Sequence, residues 1–200
     1  MVSATATEVT RPEYPVKLQV AEPAKLSRWL WIVKWLLAIP NWIVLGVVGI
    51  VYVFTLFFAW VAAVLLGRYP RGLFDFNVGF LRWTTRLSSY TMGLVTDQYP
   101  PFAMRDIPEY PVRVTAEYPA RLSRLKAFFR IFLAVPHLVI VWLLNYVWAV
   151  LWLIAGVIIL FTGRYQKDLF RFVVGIMRWN VRSTGYLILA TDKYPPFSLE

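Results

Sequence analysis

Apolar positions along the chain fall into two long blocks. Between Lys34 and Arg68 lie 33 residues without a formal charge, and between Arg130 and Arg164 another 33. A helix of that length rises about 50 Å, against roughly 30 Å of bilayer hydrocarbon. Each block is preceded by a short alternating stretch, Tyr14 to Val20 and Tyr110 to Ala116. There Val16, Leu18 and Val20 alternate with Lys17 and Gln19, as a half-buried strand requires. Each block is followed by an amphipathic helical segment, Gly72 to about Ser89 in the first instance. A short apolar run, Met92 to Val95 or Leu187 to Ala190, then predicts a second, short strand. It ends at Tyr-Pro-Pro-Phe, where proline fixes φ and bars the preceding residue from helix.

The order repeats because the sequence repeats. Pro12-Glu13-Tyr14-Pro15-Val16 returns as Pro108-Glu109-Tyr110-Pro111-Val112, and Leu26-Ser27-Arg28 as Leu122-Ser123-Arg124, at an offset of 96. The same offset links Pro40 to Pro136, Gly67-Arg68-Tyr69 to Gly163-Arg164-Tyr165 and Arg82-Trp83 to Arg178-Trp179. Thr96-Asp97 and Tyr99-Pro100-Pro101-Phe102 match Thr191-Asp192 and Tyr194-Pro195-Pro196-Phe197 at an offset of 95. Two tandem modules, 12–102 and 108–197, joined by a seam at Ala103 to Ile107, account for this pattern.

Charge placement suggests how each block meets a membrane. The 200 residues carry 21 Lys and Arg against 11 Asp and Glu, a formal charge of +10. If each block crossed once, the cations would divide almost evenly between the two sides. If each folded back as a helical hairpin near Gly46 to Gly49, or near Asn145, all 21 would share one side, as the positive-inside rule favours. The expected fold class is therefore a mainly α integral membrane protein, multi-pass in the cell membrane. It has four transmembrane helices, a small cytoplasmic β layer and cytoplasmic termini. The rival is one tilted helix over 41–66, preceded by an interfacial helix at Ala24 to Ala38 that turns at Pro40. Lys34 and Arg130 weigh toward it, because a hairpin leaves them two turns inside the membrane, where they must snorkel or face a polar interior.

Composition narrows the function classes. Hydrophobic residues make up 59% of the chain and charged residues 16%, with a mean hydropathy of +0.57, so a water-soluble globule is not expected. The absence of cysteine excludes disulfides, thiolate metal sites and a cysteine nucleophile. The segment from Met1 to Pro15 carries Glu8 and Glu13 before any apolar run, unlike a cleaved signal peptide.

Chemistry-bearing residues are few. Asp75, Gly79, Arg82, Arg86 and Ser89 fall on one helical stripe, repeated by Arg171, Gly175, Arg178, Arg182 and Gly185. A helix basic on one side and aromatic on the other suits a membrane interface, with Arg82, Arg86, Arg178 and Arg182 as candidates for lipid phosphate or a partner's carboxylates. The alternative pairs Arg82 and Arg178 with carboxylates such as Asp97 and Asp192 to hold the module together. The repeated turn motif Asp97, Tyr99, Asp192, Tyr194 reads as a turn whose aspartate bonds nearby backbone amides. His137, the only histidine, has Asn41 as its counterpart and suits a polar interfacial role. No catalytic group, metal site, cofactor or nucleic-acid partner is expected.

The set Leu-Ser-Arg, Pro-His or Pro-Asn in the apolar block, Gly-Arg-Tyr, Arg-Trp-x-x-Arg and Thr-Asp-x-Tyr-Pro-Pro-Phe resembles domain-of-unknown-function family 4389, found in bacterial, notably actinobacterial, membrane proteins. The second module departs in having Gln166-Lys167-Asp168 where the first has Pro70-Arg71-Gly72. The resemblance implies membrane location and duplication, without an activity. The leading expectation is a non-enzymatic scaffold or accessory subunit that engages anionic lipid, a partner protein or a second copy through a basic face. A small oligomeric channel lined by Asn41, Thr55, Asn145 and Thr162 is the alternative. A lipid-modifying enzyme using Asp97, Asp192, Asp75 or Asp168 is the third.

Overall fold

A computed structural model describes residues 14–199, so the reading of the first residues as no signal peptide lies outside the described residues. The elements are β1 (Val16–Val20), α1 (Leu30–Leu37), α2 (Ile39–Leu66), α3 (Arg71–Thr91), β2 (Val112–Ala116), α4 (Arg124–Thr162) and α5 (Lys167–Leu187). Both alternating stretches form strands, with Val16, Leu18, Val112 and Val114 buried. The strands pair antiparallel, Leu18 opposite Val114 and Val16 opposite Ala116.

The two modules are interlocked. Helix α3 of the first module packs on β2 of the second, and α5 of the second packs on β1 of the first. Gly185 permits the latter approach, because a Cβ there would meet the Val16 methyls at 3.0 Å. Two reciprocal backbone bonds repeat the exchange: the Leu26 amide donates to the Gly163 carbonyl and the Leu122 amide to the Gly67 carbonyl, each at 3.0 Å. The start of each apolar helix therefore meets the end of the other. Trp60, late in α2, donates its indole N–H to the Ala127 carbonyl at 3.0 Å, and Trp31, in α1, rests on Gly156 of α4. The two long helical segments are thus antiparallel. Within each module α3 or α5 runs back along the long helix, as Tyr52 stacked on Phe80 and Asn41 bonded to Trp83 show.

The apolar blocks do not fold into hairpins. Helix α2 continues through Gly46 and Gly49, and α4 continues through Asn145. A glycine inside a helix costs only about 1 kcal/mol against alanine, and no run of turn-forming residues offers these amides another partner. In the first module the nearest thing to a break is at Ala38, just before Pro40. Pro136 is instead absorbed inside α4. This is closer to the single-helix rival than to the four-span reading. Two helical segments, Leu30–Leu66 and Arg124–Thr162, are long and apolar enough to be candidate spans.

The short apolar runs after α3 and α5 are not strands either. Leu94 and Leu189 adopt left-handed φ of 53° and 66°, and the Gly93 and Val95 amides turn back to Ser88 and Ser89 carbonyls at 2.8 and 3.2 Å. These runs close a helix end: their amides are used on the preceding turn, which leaves none for a ladder.

Candidate functional site

The buried cations lie on the interior side of the long helices. Lys34, 1% exposed, donates from Nζ to the Thr96 carbonyl at 2.6 Å and pairs with Asp97 Oδ1 at 2.8 Å. The other carboxylate oxygen of Asp97 accepts the Ser27 amide at 2.5 Å. In the second module Arg130, 2% exposed, donates to the Tyr186 and Thr191 carbonyls at 2.5 and 2.9 Å and pairs with Asp192, which accepts the Ser123 amide at 2.5 Å. Each cation also lies over a tyrosine ring, Lys34 4.9 Å from the centroid of Tyr90 and Arg130 4.6 Å from that of Tyr186. The hydroxyls of Tyr99 and Tyr194 donate to the Leu37 and Leu133 carbonyls, both at 3.1 Å.

The Thr-Asp-x-Tyr-Pro-Pro-Phe motif is therefore a latch on the start of its module's long helix. Its aspartate bonds an amide about 70 residues away, and its partner is Lys34 or Arg130. The expected pairing with Arg82 and Arg178 is corrected, because the long helix brings its own buried cation, which needs a counter-charge more than a half-buried arginine does.

The arginine stripe is also turned inward. Arg86 is 3% exposed and donates to the Ala103 and Arg105 carbonyls, while Arg182 is 8% exposed and donates to Ser198. Burial pushes both guanidinium pKa values down. Arg82 donates to the Val114 carbonyl at 3.0 Å, and Arg178 is half-buried. Arg86 and Arg182 hold the chain that follows each latch and are closed to an external phosphate in this arrangement.

Asn41 and His137 fill one role with different chemistry. Asn41 Oδ1 accepts the Trp83 indole N–H at 2.8 Å, and its amide donates to the Pro100 carbonyl at 3.2 Å. His137 Nδ1 accepts the Trp179 indole N–H at 3.1 Å, with the ring stacked 4.2 Å from Phe197. Asn41 is thereby occupied, Thr55 is bonded to Asn77, Thr162 caps the end of α4, and Asn145 is exposed. The structure does not bring these pore candidates together. Asp75 and Asp168 are exposed and pair with Arg71 and Arg171 on their own helices.

The feature with the largest unmet physical demand is the outer surface of the long helices. Ile43, Val47, Ile50, Phe54, Phe57 and Phe58 on α2 are all more than half exposed, as are Phe128, Ile131, Phe132, Trp142, Tyr146 and Val150 on α4. Patches of a few hundred Å² are the most that soluble monomers ordinarily leave open.

Exposed cations bracket this surface. At one end stand Lys25, Arg28, Arg164, Lys167 and Arg171, and at the other Arg121, Arg124, Lys126, Arg68 and Arg71. The Arg28 guanidinium lies over Gly163, and that of Arg124 over Gly67. Each thus covers the negative end of the opposite module's long helix. The near-even division expected of blocks that cross once is the one the antiparallel docking produces, in place of the one-sided set expected of hairpins. The signal was present in the flanking pairs Arg28/Arg124 and Arg68/Arg164.

No curated protein and no solved structure matches the chain. A family model, described as a domain of unknown function (DUF4389), matches residues 28–104 and again 124–198, the larger part of the sequence. With the latch, the buried cation and the glycine-capped long helix present in both matched stretches, the chain belongs to this family, in two tandem copies.

Proposed function

We propose that the protein is a non-enzymatic membrane scaffold whose antiparallel helix pair lies in the plane of one leaflet, anchored to anionic headgroups by a cation cluster at each end. The observation that carries this reading is the exposed apolar surface bracketed by a cluster of exposed cations at either end. Spanning fits the same surface poorly. To fit the 28 residues of α2, about 42 Å of helix, into roughly 30 Å of hydrocarbon already needs a tilt near 44°, above the usual range of about 0–40°, and the longer charge-free part of α4 needs more. Crossing would also divide the exposed cations almost evenly between the two sides, with no bias of the positive-inside kind, and would draw α3 and α5, with Asp75, Arg82 and Arg178, into the bilayer. Lying flat, the helix pair sinks about 10 Å, one helix diameter, into acyl chains. Both clusters then stay at phosphate level, and the pseudo-twofold axis relating the modules stands normal to the membrane. The anionic cytoplasmic leaflet is the surface that fits the charge.

The absence of cysteine makes the test clean. Nitroxide labels are placed singly at Ile43, Val47, Ile50, Phe54 and Phe58 in protein reconstituted with anionic vesicles, and depth is read from oxygen and nickel accessibility. An in-plane helix gives nearly constant depth along α2. A profile deepest at the middle and shallow at both ends overturns the reading and establishes a spanning helix.

A further inference from the structure

Between α3, α5 and the long helices lies a cavity of about 260 Å³. Its wall repeats at the module offset of 96: Thr84 faces the role of Asn180, and Ser88 that of Thr184, with Leu81 and Met177 beside them. Trp42 and Trp148 complete it from the long helices. Among the lining residues only Trp42 is more than half exposed, so the mouth lies beside it, on the apolar surface.

Its chemistry is uncharged throughout. Leu81, Met177 and Val181 make much of the wall apolar, while Thr84, Ser88, Asn180 and Thr184 are half-buried polar groups. The hydroxyls of Thr84 and Ser88 and one amide N–H of Asn180 are donated on their own helices, to the Phe80, Thr85 and Ile176 carbonyls, which leaves their oxygen lone pairs free to accept. The indole N–H of Trp148, a lining residue 7% exposed, has no hydrogen-bond partner, and the second amide N–H of Asn180 is also unspent.

We infer that this cavity binds the head of a neutral lipid, a hydroxyl- or ester-bearing group such as the glycerol end of a monoacylglycerol, with the acyl chain trailing into the leaflet beside Trp42. The volume suits such a head and excludes a whole lipid, being below the usual range of about 300–1,000 Å³ for drug-sized ligands. A phosphate is disfavoured, because no cation lines the cavity and a buried, unpaired anion is costly. Access from the apolar surface rests on the in-plane reading, whereas the cavity's chemistry does not.

The probe is 1-oleoylglycerol bearing a diazirine near the ester, photolysed with the purified full chain in detergent micelles and mapped by peptide mass spectrometry. Labelling is expected between Thr84 and Ser88 and between Asn180 and Thr184, competed by unlabelled 1-oleoylglycerol and not by oleoyl lysophosphatidate. Filling the cavity with Ser88→Leu and Thr184→Leu should lower labelling about tenfold, equivalent to about 1.4 kcal/mol of binding, and leave vesicle flotation unchanged. Thr84→Val, which keeps the shape and removes one hydroxyl, should fold as wild type and label several-fold less. Labelling spread over the long helices, or equal competition by the lysophosphatidate, overturns the inference, as does unchanged labelling in Thr84→Val. Labelling confined to the cavity alongside a spanning depth profile would retain this site and reject the in-plane reading. Lost flotation with labelling intact would separate the two in the same way.

Discussion

Arg130, in the second turn of α4, is held to Asp192, 62 residues further along the chain, and Lys34 is held to Asp97 in the same way. One buried cation and one partly exposed aspartate thus fasten the end of each module to its own beginning. Removing the carboxylate leaves the cation buried without a counter-charge, a loss of about 3–5 kcal/mol for a fully buried pair and less here because the aspartates are partly exposed. Asp97→Asn should therefore lower the unfolding midpoint in detergent clearly. Lys34→Arg should be nearly neutral, since the second module already uses arginine there. A midpoint unmoved by Asp97→Asn contradicts the latch.

The C-caps of the long helices give a backbone prediction. Gly67 and Gly163 have φ of +66° and +67° and their carbonyls receive Leu122 and Leu26. Gly67→Ala should cost about 1–2 kcal/mol through the left-handed conformation, and the double change with Gly163→Ala about twice that. Chemical or thermal unfolding of the reconstituted protein reads this directly. Asn at either position should cost less.

Replacement at the Asn41 and His137 positions separates hydrogen bonding from packing. His137→Asn should be tolerated, because the amide oxygen can accept the Trp179 N–H as Asn41 accepts that of Trp83. His137→Leu leaves that N–H buried and unpaired, at a cost of about 1–3 kcal/mol. The ordering wild type, Asn, Leu in stability is the outcome expected.

Two sets of arginines should behave oppositely in membrane binding. Neutralising Arg28, Arg164 and Lys167 together should weaken binding to anionic vesicles by roughly 3 kcal/mol, at about 1 kcal/mol per basic group near the surface, and flatten its salt dependence. Arg86→Gln with Arg182→Gln should lower stability and leave the salt slope of binding in place. Flotation at two ionic strengths distinguishes them; Arg82 and Arg178 form an intermediate pair.

The seam carries a modest acid sensitivity. Arg113 beside Asp106, at 3.0 and 2.9 Å from Nε, holds that carboxyl below the usual carboxylate range. The folded pKa is depressed, so the stabilisation is present above the unfolded value near 3.9 and is lost as pH falls through the folded value. Both groups are about a third exposed, so the effect is small. Asp106→Asn should leave stability at pH 7 almost unchanged and remove only the part of the acid transition that lies below pH 4.

Local pattern made much of the fold legible. The strands follow from alternation, α3 and α5 from the 3.6-residue stripe, and the duplication from repeated words such as Gly-Arg-Tyr. The repeat also marked the latch residues Asp97 and Asp192 and their cations Lys34 and Arg130 as equivalent before any contact was known. Alternation and helical period are properties of a few consecutive residues, which is why they can be read directly.

Partnership is another matter. That Asp97 meets Lys34 and not Arg82, that Arg86 and Arg182 turn inward, and that neither charge-free block folds back on itself all depend on which surfaces come together. An uninterrupted apolar block carries no polar signal to fix a turn, so its length alone supports both a hairpin and a bar. The sequence by itself determined two repeated modules, the strands β1 and β2, the amphipathic helices α3 and α5, and an excess of cations. The tertiary structure decided that the long helices dock antiparallel, each start against the other's glycine-capped end. That docking divides the exposed cations between the two ends of one apolar surface.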